Sequence, residues 1–88
     1  KNSKFAVSVL STKSTPEALR VSKRIINRAK KLGLNIDSAI SPSSVEGLTR
    51  VIILNITIGD AERLKNSGII DDYYRVFADN KAHDNFAI

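Results

Sequence analysis

Eighty-eight residues make one domain with a modest core, and the lack of any cysteine rules out a disulfide framework and a thiolate metal site. No apolar run reaches the roughly 18 residues of a membrane span, no signal peptide is visible, and the β-branched, apolar content excludes a disordered chain. The net charge of +5 conceals an asymmetry: residues 1–33 hold nine basic residues against Glu17 alone, while residues 34–88 hold five against eight acidic ones. Such a division suits nucleic acid, an acidic partner, a second copy of the chain or plain surface charge. A chain that starts at Lys1 and has no Met is expected to be a processed chain or an excised piece.

Lys4–Leu10 alternates as a strand does, with Phe5, Val7 and Val9 on one face and Ala6, Ser8 and Leu10 on the other. Both faces are largely apolar, which predicts a central strand. A hydroxyl-rich loop from Ser11 to Thr15 follows. Thr15-Pro16 predicts a helix start, with Thr15 as the cap and Pro16 at the first helical position. The helix is expected from Pro16 to Leu32. Ala18, Leu19, Val21, Ile25, Ile26, Ala29 and Leu32 form its apolar stripe, and Arg20, Lys23, Arg24, Arg28, Lys30 and Lys31 fill the opposite arc with Glu17 and Asn27. No aromatic stands among these charges for a base to stack on, so the arc reads as solvated or partner-facing before it reads as a nucleic-acid grip.

Gly33 stops this helix, because the residue past a helix C-terminus needs a positive φ that only Gly adopts without a Cβ penalty. Lys30 and Lys31 complement the negative end of the helix dipole. Leu34, Ile36 and Ile40 then follow strand spacing, so a tight joint leads into a strand over Asn35–Ser41. A hairpin loop from Ser41 to Gly47 leads to Arg50–Ile58, the strongest strand pattern, with Ile52, Leu54, Ile56 and Ile58 on one face and Val51, Ile53, Asn55 and Thr57 on the other. Gly59-Asp60 breaks it, Asp60 is placed to cap a short helix over Ala61–Ser67, and Gly68 ends that helix. Tyr73–Ala78 is the last strand, with Tyr74 and Val76 opposite Arg75 and Phe77; residues 1–78 thus form the domain and residues 79–88 a polar tail.

The order β-α-β-β-α-β with right-handed crossovers predicts an α+β, ferredoxin-like fold: a four-stranded antiparallel sheet in the order 4-1-3-2 with both helices on one face. The other face is expected to carry Val51 and Ile53, with Phe5, uncovered by any helix and open to a partner.

The run Lys31-Leu32-Gly33-Leu34-Asn35-Ile36-Asp37-Ser38, the Ser/Pro loop after it and then Thr49-Arg50-Val51-Ile52-Ile53 resemble the ACT domain of acetolactate synthase small subunits. Leu34 stands where that family usually has an aromatic. Gly59-Asp60-Ala61-Glu62 is similar to the family's second helix start, and Tyr74-Arg75-Val76 to its last strand, so the resemblance spans about residues 4–78. It implies a cytoplasmic, non-catalytic regulator of branched-chain amino-acid biosynthesis that acts by allosteric regulation. Such a regulator forms a homodimer, contacts a catalytic subunit, and holds a branched-chain amino-acid effector at the dimer interface. By the resemblance, Asn35 and Ile36 of one chain would meet the effector, and the hydroxyls of Ser11, Thr12 and Ser14 in the first loop of the other are candidates to hold its carboxylate. Arg20, Lys23, Arg24, Lys31, Val51 and Ile53 are the expected partner contacts. The family's first loop carries a Gly that lets backbone amides approach the effector carboxylate, whereas this chain has no Gly between Leu10 and Leu19. Its first helix also reads about one turn longer than the family's and its second about one turn shorter. Any effector is therefore expected to bind weakly or not at all.

No catalytic constellation is legible, and neither a cofactor nor a metal is expected. His83 is the only histidine and lies in the tail, Asp71-Asp72 point to opposite sides of an extended chain, and the serines lack a nucleophile elbow. The chain reads as a non-enzyme. Two other readings share the element order. A nucleic-acid-binding domain would use the basic helix, but lacks the aromatic pair an RNA-recognition motif carries on its central strands. A SPOR-type peptidoglycan-binding domain would require export.

Overall fold

The computed structural model of the chain describes residues 3–43 and 45–76. Its elements are β1 (Phe5–Thr12), α1 (Thr15–Lys31), β2 (Asp37–Pro42), β3 (Thr49–Ile56), α2 (Ile58–Asn66) and β4 (Tyr74–Val76). All the strand pairings are antiparallel, and the sheet runs β2-β3-β1-β4. Read from the other edge, this is the expected order 4-1-3-2. The tail from residue 79, with His83, lies outside the described residues, as do the last two residues of the expected final strand.

Local chemistry sets the element ends. Ser14, not Thr15, caps α1: its Oγ accepts from the Glu17 N–H at 3.1 Å, and Pro16 falls in the first turn. Thr15 is left as the first helical residue, with its hydroxyl 3.4 Å from that of Thr49. At the other end Gly33 has φ +81°, as its position required. The carbonyl of Leu32 accepts from Arg63 of α2 at 3.1 Å, so a cation closes the negative end of α1 and ties it to the second helix. The second helix starts at Ile58 because the Thr57 hydroxyl accepts from the Asp60 N–H at 3.2 Å; Asp60 is a first-turn residue instead of the cap.

Both helices pack on one face of the sheet. Ala18, Val21, Ile25 and Ala29 of α1 and Ala61 and Leu64 of α2 meet Val7, Val51, Ile53 and Ile56 in a single cluster closed by Leu34, Ile36 and Ile70. Leu19, expected in the α1 stripe, is 46% exposed, while Ser22 is buried there and its hydroxyl donates to Ser38 of β2 at 2.6 Å.

The faces of β3 are reversed relative to the sequence expectation. Val51 and Ile53 lie fully buried under the helices, so neither is the open partner contact the alternation suggested. Phe5 likewise packs against the helix-side cluster. An all-apolar strand does not specify which face receives the helices, because period-2 alternation fits either assignment. A bulge completes the reversal: Phe5 pairs with Ile56 and Val7 with Ile53, so β3 uses three residues where β1 uses two, and Asn55 there has φ +59°. Ile56 thereby joins Ile53 on the helix side. A second irregularity lies between Ser8 and Leu10, and both Val9 and Leu10 pack against the core.

Candidate functional site on the helix-free sheet face

Alternation from the paired registers places Asp37, Ala39 and Ser41 of β2, Arg50, Ile52 and Leu54 of β3, and Ala6, Ser8 and Ser11 of β1 on the face away from the helices. Tyr74 and Val76 of β4 share that face. Two rows cross it. Ser41, Arg50 and Ser11 form the first; Ala39, Ile52, Ser8 and Tyr74 form the second. The composition of this face is mixed: Ile52, Ser41 and Val76 are buried, Ala6, Ser8, Ala39, Arg50 and Leu54 are half-buried, and Ser11, Asp37 and Tyr74 are exposed.

Tyr74, on the edge strand, is 68% exposed and presents the ring most accessible to a ligand among the described residues. Its hydroxyl donates to Asp72 at 3.4 Å. Asp72 is itself fixed: it accepts from the Tyr73 N–H at 2.8 Å and lies 3.5 Å from the Lys65 ammonium. The Tyr73 hydrogen bond, helped by Lys65, holds the Asp72 carboxyl below the ordinary carboxylate range. Tyr73 packs against the core, and its hydroxyl donates to Glu62, which pushes its ionisation above that of a free tyrosine. Arg75 points to the helix side, its guanidinium 4.6 Å from the centre of the Phe5 ring.

The residues expected at an effector site have other tasks. Ser11 and Thr12 belong to β1, not to a loop; the Thr12 hydroxyl accepts from the Ser14 N–H at 3.2 Å, and the Ser14 hydroxyl is occupied as the helix cap. Asn35 is exposed at the far end of the 17-residue α1, about 25 Å along the helix from Ser14. Ile36 is buried in the core. One chain therefore does not bring Asn35 together with the first loop. Beside that loop, however, is a cavity of about 390 Å³ whose lining includes Lys13, Thr15, Ile40, Pro42, Leu48 and Thr49.

Lys23, Arg24 and Lys31 stand exposed on α1, and Arg20 pairs with Glu17 one turn before it. These charges lie on the helix side of the domain, with the sheet between them and the open face. Ser8, Arg50, Ile52 and Leu54 are the face residues that sequence reasoning did not single out; a lone arginine opening an otherwise apolar strand was the signal available.

Among the described residues no group of three or more His, Cys, Asp or Glu is placed to hold a metal ion, and no helix is long and apolar enough to cross a membrane. No family model, curated protein or solved structure matches the chain.

Proposed function

We propose that this chain is a non-catalytic binding module whose helix-free sheet face takes a glycan strand, the reading in which it resembles a SPOR-type peptidoglycan-binding domain. The carrying observation is the composition of that face: the hydroxyls of Ser8 and Ser11 beside half-buried Arg50 and an exposed Tyr74. Sugars offer hydroxyls to such groups and apolar C–H faces to an aromatic ring. A dimer interface on this face would require a contiguous apolar patch, and the residues that suggested one, Val51 and Ile53, are in the core. Nucleic acid is the weaker fit, since the basic helix is on the other side of the domain from the exposed tyrosine. The reading places the working chain outside the cytoplasm. Cosedimentation with purified peptidoglycan and titration with chitotetraose test it: amide shifts confined to Ser8, Ser11, Arg50 and Tyr74 support it, and shifts confined to α1 refute it.

A second reading rests on the cavity beside the first loop. Lys13 with the apolar wall of Ile40, Pro42 and Leu48 offers an ammonium for a carboxylate and a pocket for a branched side chain. This is what a cytoplasmic ACT-like regulator of acetolactate synthase would need, with dimerisation and a catalytic subunit as partner. Calorimetry with valine and sedimentation of the free chain decide it: a dimer with micromolar valine affinity replaces the glycan reading.

A further inference from the structure

The two helices differ in length, and the difference opens a cleft. α2 has nine residues to the seventeen of α1, a deficit of about 12 Å at helical rise. Arg63 ties α2 to the C-terminal end of α1, so the uncovered length lies toward the N-terminal end. A cavity of about 190 Å³ lies there, bordered by Val21, Arg24, Ile25 and Arg28 of α1, by Val9 and Leu10 of β1 and by the segment 68–71 that follows α2. We propose that this cleft is an interaction site for the carboxyl-terminal end of a partner polypeptide whose last side chain is apolar and the size of leucine or phenylalanine. The site is on the helix side of the sheet, away from the face assigned to glycan, and does not rest on that reading.

The floor of the cleft is apolar. Ile25 and Ile70 are buried, while Val9, Leu10 and Ile69 are half-buried and keep surface that an entering side chain would cover. An apolar cavity of about 150 Å³ is enough for a benzene, so this one has room for a phenylalanine ring or a leucine side chain. Arg24 and Arg28, one turn apart on the same face of α1, stand exposed at its mouth. Two guanidiniums at that spacing suit the two oxygens of one carboxylate. Of the two acids at the rim, Glu17 is taken up by Arg20, which leaves Asp71. A free acid would meet repulsion from Asp71 with nothing in return, whereas a peptide also offers it a backbone N–H to accept from. The edge of β1 completes the fit. β4 pairs with Ala6, Val7 and Ser8, but β1 runs on to Thr12, so past Ser8 that edge has no strand on it among the described residues. Extended peptides add to such an edge through main-chain hydrogen bonds and place a side chain in a pocket beside it.

The test follows the backbone amides of the full chain by NMR during titration with three probes. These are the peptide N-acetyl-Gly-Ser-Gly-Val-Phe, the same peptide with a C-terminal amide, and hydrocinnamate, which has the ring and the carboxylate but no peptide N–H. The acid peptide should shift Val9, Leu10, Ile25, Ile69 and Ile70 and bind about tenfold more tightly than its amide. Arg24→Gln and Arg28→Gln should each bring the acid peptide close to its amide and leave the amide unchanged; both side chains are exposed, so the variants keep the fold. Lys23→Gln, next to Arg24 but outside the cleft, separates capture from general attraction and should leave both peptides unchanged. The proposal is overturned if the acid and amide peptides bind alike, if hydrocinnamate binds as tightly as the acid peptide, if Lys23→Gln costs as much as Arg24→Gln, or if no cleft amide moves at millimolar peptide. It is also overturned if Phe86→Ala in the free chain shifts those same amides, because residues 79–88 would then be the occupant.

Discussion

The reversed faces of β3 lead to a sharp stability prediction. Ile53 is fully buried between the sheet and the helices, whereas its neighbour Leu54 is only partly buried on the other side. Ile53→Ala removes buried methyl and methylene groups and leaves a cavity that helices held at both ends, by the Ser14 cap and the Arg63 contact, cannot easily close. The expected cost is about 3–4 kcal/mol. A domain of 88 residues has roughly 4–13 kcal/mol in total, so the loss takes about a quarter of the stability at the high end and nearly all of it at the low end. Leu54→Ala has no helix to lose and should cost about 1 kcal/mol. Urea unfolding followed by circular dichroism measures both, and the melting midpoint of the Ile53 variant should fall by about 12 °C or more. If Leu54→Ala proves as costly as Ile53→Ala, the helices pack on the opposite face and the site described above is misplaced.

Tyr74→Ala should weaken chitotetraose binding about tenfold or more without changing the melting midpoint, since its ring is largely exposed; unchanged affinity would remove the stacking role. Ser14→Ala should cost about 1 kcal/mol through loss of the α1 cap while Thr15→Ala costs less, and the opposite ranking in urea unfolding would show that the cap is Thr15. Two groups should leave marks on the pH profile. Tyr73 has a raised folded ionisation, so its contribution is complete below the free tyrosine value and fades as pH rises through the folded one; Tyr73→Phe should abolish a late phase of the phenolate titration. Asp72 has a lowered one, so its contribution is present above the unfolded carboxyl value and is lost as pH falls; a carboxyl titration by NMR that finds Asp72 at the ordinary value would refute the Tyr73 and Lys65 contacts.

The order of elements was legible because each has a local cause: the Pro16 start, the Gly33 stop, and alternating strands on either side of the hairpin. Helix starts shifted where two capping side chains competed. Ser14 and Thr15 are both competent caps, and only the position of the Glu17 amide decides between them. The same holds for Thr57 and Asp60. The orientation of β3 was not legible. Val51 through Leu54 are all apolar, so the pattern fixes a buried strand and leaves its rotation to the bulge at Asn55. The candidate site was hidden by the same ambiguity. Once Val51 and Ile53 are taken for the open face, Arg50 and Ile52 are put under the helices, where a guanidinium makes no sense.

The charge asymmetry bears on mechanism through its position. Lys23, Arg24 and Lys31 stand exposed on the helix layer, so their field is strongest on the side away from Arg50 and Tyr74. Beyond about a Debye length, roughly 8–10 Å, that field is screened, and a ligand on the helix-free face would feel little of the net +5. On the proposed binding reading, the helix would steer the module toward an acidic surface and selection would be left to the sheet face. Salt should then weaken association with an anionic polymer mainly through the helix.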